Sequence, residues 1–151
     1  MTDLQRNAEE LAQACADAMY SRDQATQGLG ITLLDVGPGR ARLSMPVRAD
    51  MLQGHGTCHG GFLFALADSA FAFACNSHDK ATVAQGCSID YVAPALAGDL
   101  LSADATELSR TGRTGLYDVR IQNQRGELIA LFRGKAYQVR GTVLAQETQD
   151  D

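Results

Sequence analysis

Residues 60–75 read GGFLFALADSAFAFAC, and Asp68 is the only charge among them. Burying an unpaired carboxylate costs on the order of several kcal/mol unless donors or a proton satisfy it. No Lys or Arg lies within four residues to pair with it. Two readings are therefore open. Asp68 is either a buried aspartate held by backbone or hydroxyl donors, or a general base or nucleophile whose pKa is adjusted by its apolar setting. The second feature is His59-Gly60-Gly61, directly before the apolar run. At a helix start the first N–H groups lack partners, the dipole is positive, and glycine leaves room for an approaching oxygen. That arrangement suits a developing oxyanion, although two glycines also merely end loops. His59 is assigned to holding the loop that aims the Gly60 amide.

The two features constrain each other through distance. Eight residues of helix span roughly 12 Å, so one carbonyl cannot touch the Gly60 amide and the Asp68 carboxylate of the same chain. If both serve one reaction, the Asp68 of one subunit faces the Gly60 of another, with two such helices antiparallel across a two-fold axis. A homodimer with two composite sites follows. His55, Cys58 and His59 have ligand-like types, but flanking glycines and the lack of a Glu base argue against a metal, and none is expected.

The elements that must carry these residues are legible from periodicity. Leu4, Ala8, Leu11, Cys15 and Ala18 recur at helical spacing, predicting an amphipathic helix over about 3–22. A polar segment ends it. ITLLDV and RARLSMPV flank Gly-Pro-Gly and read as a hairpin. The glycine-rich loop 49–61 feeds a helix of about 59–77. Period-2 segments follow around Val83–Tyr91, DLLSADATELS, Tyr117–Ile121 and ELIALFRGKAYQV, with turns at Gly98, TGRTG and Arg125-Gly126. Short connections favour antiparallel neighbours. A helix apolar nearly all round cannot be covered by a flat sheet, so the sheet must curl about it. The expected class is α+β: a long central helix wrapped by a curved antiparallel sheet, with an N-terminal helix. Residues 1–143 form one domain, and the pattern fades from about Gly141, leaving 144–151 as a frayed tail.

Composition sets the outer limits. The chain has 151 residues, enough for one core without metal or disulfide staples. With 45% apolar and 21% charged residues it is neither disordered nor a long coiled coil. A net charge of −5 has the wrong sign for a protein that lives on nucleic acid or anionic lipid, so an anionic ligand must meet a local basic patch. The apolar run falls short of the ~20 residues of a membrane span. Cys15, Cys58, Cys75 and Cys87 are widely spaced and read as free thiols, and the N-terminus lacks the plan of a secretory signal, so a cytoplasmic protein is expected.

The stretches MLQGHGTCHGGFLFALADSAFAFACNS, CSIDYVAPALAGD, GLYDVRIQNQ and ALFRGKAYQV resemble the hotdog-fold acyl-CoA thioesterases, closely the PaaI-type enzymes of phenylacetate degradation. The likeness runs from about residue 12 to 143. It implies a hotdog fold, dimers pairing into homotetramers, and hydrolysis of phenylacetyl-CoA or its ring-hydroxylated forms to free acid and CoA. It also implies that Asp68 acts as base or nucleophile and that the Gly60 amide polarises the thioester carbonyl from across the dimer interface. Gln53 stands where PaaI-type enzymes usually carry Asn, while related 4-hydroxybenzoyl-CoA thioesterases use Gln. An amide there orients water or contacts the carbonyl, or else caps its own loop. For the CoA moiety we assign Arg110, Gly112, Arg113, Arg133 and Lys135, near strand ends and turns, together with Gly61. No resident cofactor is expected, CoA being part of the substrate.

A thiol with pKa near ~8.5 leaves without strong acid assistance, so thioester hydrolysis asks for one carboxylate and one oxyanion donor. No GxSxG elbow offers an alternative. Two rivals remain. A hotdog-fold acyl-thioester dehydratase would need a catalytic His paired with an acid, and His59 with Asp68 meets the same spacing problem. A non-catalytic acyl-CoA-binding module would bind ligand equally well with Asn at position 68.

Overall fold

The computed structural model describes residues 2–144. Helix α1 (Asp3–Arg22) begins with a reciprocal cap. Thr2 Oγ1 accepts from the Gln5 N–H at 3.2 Å, and the Gln5 side chain accepts from the Thr2 N–H at 2.8 Å. The helix lies where periodicity places it, but its buried face differs from the expected one. Ala12, Cys15, Ala16 and Ala18 are covered, whereas Leu4 is 82% exposed and Leu11 36%. Small side chains let the helix lie close on the neighbouring strand, and the larger leucines are turned outward. A short helix α2 (Gln24–Gly28), not anticipated, follows at once because the Asp23 carboxylate accepts from the Thr26 N–H at 3.0 Å and starts a new turn.

Among the described residues six strands form one antiparallel sheet: β1 (Thr32–Gly37), β2 (Arg40–Pro46), β3 (Thr82–Tyr91), β4 (Leu100–Thr111), β5 (Thr114–Gln122) and β6 (Leu128–Gln138). Their order is β1-β2-β4-β5-β6-β3. The chain thus leaves β2, runs through α3 (Gly60–Cys75) across the sheet, and adds β3 at the opposite edge. Strands β2, β4, β5 and β6 alternate buried and open positions, one face toward α3.

The core forms where α3 meets the inner face of the sheet. Leu66, Ala67, Ala70, Phe71 and Phe73 pack with Leu43, Met45, Leu101, Val119, Ile121 and Phe132. Close approach needs small sheet residues under the aromatic rings. A Cβ on Gly134 would lie 2.7 Å from the Phe71 ring, which explains glycine inside a strand. Strand β3 is different in kind. Ten residues long, it is open or half-buried throughout and hydrogen-bonds a neighbour on one side only.

The end of the chain corrects the expectation of fraying from Gly141. The Gly141 carbonyl accepts from the Ala81 N–H, the Val143 carbonyl from Arg22, and the Leu144 N–H donates to Asp79 at 3.0 Å. Val143 is buried. The remainder of the predicted tail, 145–151, lies outside the described residues. All four cysteines are free, three buried and Cys87 exposed. No described helix is long and apolar enough to cross a membrane.

Candidate active site

The loop before α3 is closed by its own polar groups. The Gln53 N–H donates to the Thr57 carbonyl at 2.9 Å, and the Gln53 side-chain amide donates to Thr57 Oγ1 at 2.7 Å. Its oxygen accepts from the His55 N–H. Gln53 therefore caps its own loop, one of its two anticipated readings, while still lining the cavity described below. The loop is tied to its surroundings by His59 N–H to the Met51 carbonyl and Cys58 N–H to the Ala95 carbonyl, both 2.8 Å.

His59 then caps α3. Its Nδ1 accepts from the Gly61 N–H at 2.9 Å. This occupies the Gly61 amide, which had been assigned to CoA. No acceptor among the described residues takes the Gly60 N–H, one of the orphan donors of a helix start. A cavity of ≈ 430 Å³ opens there, lined by Gln53, Gly60, Leu63, Tyr91, Ala93 and Pro94. The Tyr91 hydroxyl, arriving from the end of β3, donates to the Gly60 carbonyl at 3.0 Å. Tyr91 read only as a strand residue in sequence, because its partner lies 31 positions away.

Asp68 is two turns further along α3, half-buried, and does not line that cavity. No described donor bonds it. Burial pushes its carboxyl above the ordinary value, and the Asp23 charge pushes it the same way. Its nearest scaffold is tied down beside it, where Thr26 Oγ1 and Ser69 Oγ are 2.9 Å apart. Asp68 also bears electrostatically on Cys87, at the middle of the open strand β3.

A second, smaller cavity of ≈ 130 Å³ sits past the C-terminal end of α3, beside the β4–β5 hairpin. Lys80, Arg110, Gly112, Arg113, Tyr117 and Gln138 line it. Gly112 has φ +60°, the left-handed conformation that the hairpin turn requires. Arg110 and Arg113 make no side-chain ion pair among the described residues and are available to an anion. Beneath them, Tyr117 donates to Glu107 at 2.7 Å and His78 Nε2 lies 3.0 Å from the same oxygen. Burial raises the Glu107 carboxyl, but the Tyr117 and His78 contacts together hold it below its usual value. Arg133 and Lys135 do not join this cluster. They face the outer side of the sheet, where Arg133 holds Asp118 through two contacts of 2.7 and 3.0 Å. Strand alternation explains this separation, since Phe132, Gly134 and Ala136 point inward while Arg133 and Lys135 between them point out.

A helix wrapped by a sheet, with an unfilled amide at its start and a lone acid at its middle, invites comparison with known proteins. The Thioesterase superfamily profile matches residues 55–130. The chain is 47% identical over 131 residues to the acyl-coenzyme A thioesterase PaaI of Escherichia coli, covering 87% of this chain and 94% of that protein. The chain belongs to the thioesterase superfamily. This thioesterase is also 36% identical over 130 residues to a putative esterase of Archaeoglobus fulgidus, covering 86% and 84% of the two chains. The solved structure of the Escherichia coli PaaI protein from the phenylacetic acid degradation operon superposes with a TM-score of 0.88 at 46% identity, covering 89% and 98% of the two chains. A Thermus thermophilus protein follows with 0.75 at 44% identity, covering 78% and 99%. The architecture of this thioesterase is the hotdog fold expected from the resemblance.

Proposed function

We propose that this thioesterase hydrolyses acyl-CoA thioesters, phenylacetyl-CoA or ring-hydroxylated phenylacetyl-CoA first among them, at two composite sites of a homodimer. The observation that carries the reading is the unfilled Gly60 N–H at the mouth of an apolar-walled cavity. The thioester oxygen accepts from that N–H, which strengthens as the carbonyl gains charge in the transition state. The acid comes from the second copy, because roughly 12 Å of helix separates Gly60 from Asp68 in one chain. The open ten-residue edge of β3 supports pairing with a second copy, and the Asp68 charge is felt at Cys87 in the middle of that strand. Two such dimers then form the expected homotetramer.

A carboxylate with a raised pKa is a stronger base. Asp68 of the partner subunit takes a proton from water as its oxygen attacks the carbonyl carbon, or attacks that carbon itself and is released by water. Both routes expel the CoA thiolate, whose modest basicity removes the need for a strong acid. Arg110, Arg113 and the Gly112 turn receive the CoA phosphates, the local basic patch that an acidic chain must supply. The buried free thiols fit a reducing compartment, the cytoplasm.

A thiol-release assay over phenylacetyl-CoA, hydroxyphenylacetyl-CoA, benzoyl-CoA and straight-chain acyl-CoAs tests the proposal. Turnover is expected, greatest on the arylacetyl substrates. Asp68→Asn is expected to lower kcat by about 10²–10⁴-fold. Full turnover by that variant, or none by the unaltered protein on any substrate, overturns the reading.

A further inference from the structure

We propose that Tyr91 is a positioning residue for the oxyanion donor, clamping the first peptide of α3 from the sheet so that the Gly60 N–H keeps its aim. The inference rests on the reading of Gly60 as that donor. The Gly60–Gly61 peptide is gripped at both ends: its N–H donates to His59 Nδ1 at 2.9 Å, and its carbonyl accepts from the Tyr91 hydroxyl at 3.0 Å. Two successive glycines have the widest backbone freedom of any pair and no side chain to pack, and they stand where a helix frays. An oxyanion donor must stay within about 0.5 Å of its productive place. Something outside the helix has to hold it there.

Tyr91 is suited to that task by its own anchorage. It closes β3 opposite Ala130 of β6, and the next residue, Val92, donates to the Ile129 carbonyl at 2.8 Å. The hydroxyl therefore ties the helix start to the frame of the sheet. The clamp also accounts for the glycines. A Cβ on Gly60 would lie 2.9 Å from the Tyr91 ring and hydroxyl, and one on Gly61 would lie 3.0 Å from His59 Nδ1. The two side chains that grip the peptide fill the space that larger residues would need.

Tyr91→Phe removes the hydroxyl and leaves the ring as cavity wall. On phenylacetyl-CoA it should lower kcat about five- to thirtyfold, part of the 10²–10³ that a whole oxyanion donor contributes, with KM changed less than twofold. Amide hydrogen exchange at Gly61 should quicken at least about fivefold in the variant, with global melting little changed. His59→Ala combined with Tyr91→Phe should give losses that do not multiply, since both side chains hold one peptide. Tyr137→Phe, which loses a half-exposed hydroxyl on the outer face of β6, should leave kcat unaltered. If Asp68-dependent turnover stands but Tyr91→Phe changes neither kcat nor exchange, the clamp is overturned and the proposed function survives. If no thioester turns over, the proposed function fails, and the exchange arm still decides the clamp: unchanged protection at Gly61 overturns it.

Discussion

The carboxylate of Asp68 holds its proton more tightly than an exposed aspartate, because the surrounding helices exclude part of its water and Asp23 repels its charge. The same shift bears on folding. Well below the ordinary value of 3.8 the group is protonated in both folded and unfolded chains, and no penalty arises. As pH rises through that value toward the raised folded pKa, the unfolded chain ionises first, and the folded state loses stability until both are charged. Asp68→Asn should therefore melt higher than the parent protein at pH 7 and together with it near pH 3, as read by calorimetry. A lower melting point at pH 7 would mean that the carboxylate stabilises its site. Asp68 and Gly60 were legible in sequence because each breaks a pattern, a charge in an apolar run and glycines where a helix begins. Tyr91 breaks none. An aromatic residue at the end of a period-2 segment is ordinary, and only the crossing of β3 past the start of α3 gives its hydroxyl a purpose.

Helix α3 organises the site by its ends. Its start offers an N–H to a carbonyl, and beyond its other end lies the basic hairpin cavity, roughly 24 Å away by helix rise. Under the proposed function, recognition of the nucleotide part of CoA is separated from the chemistry. Changing Arg110 and Arg113 together to Ala should raise KM for CoA thioesters about tenfold or more with kcat nearly unchanged. Kinetics on a short N-acetylcysteamine thioester, which lacks the nucleotide, should not respond. The elements themselves were largely readable, since apolar residues at periods of two and 3.6 mark strands and helices whatever their partners. Strand order was not, because alternation says which face is buried and nothing about which neighbour is beside it. The outer placement of Arg133 and Lys135 was half-visible: their two-residue spacing puts them on one face, but only the sheet shows that this is the face away from α3.

At the scale of the whole molecule, the proposed composite site makes a complementation test available. Asp68→Asn and Gly60→Pro, which deletes the N–H, should each be nearly inactive alone. Mixed and refolded together in equal amounts, they should recover about a quarter of the parent activity, because half of random dimers carry one intact site of two. No recovery would mean that Gly60 and Asp68 do not meet in one site across two copies. The docking of residues 141–144 also matters to anyone handling this protein. Asp79, which receives the Leu144 N–H, is flanked by His78 and Lys80, both on the wall of the basic cavity. A fusion joined directly after Leu144 would start beside this cavity, and an acidic one would compete with the anion proposed to bind there. A fusion joined ahead of Thr2 would instead enter at the far end of the twenty-residue α1, about 30 Å from Arg22, which meets the Val143 carbonyl.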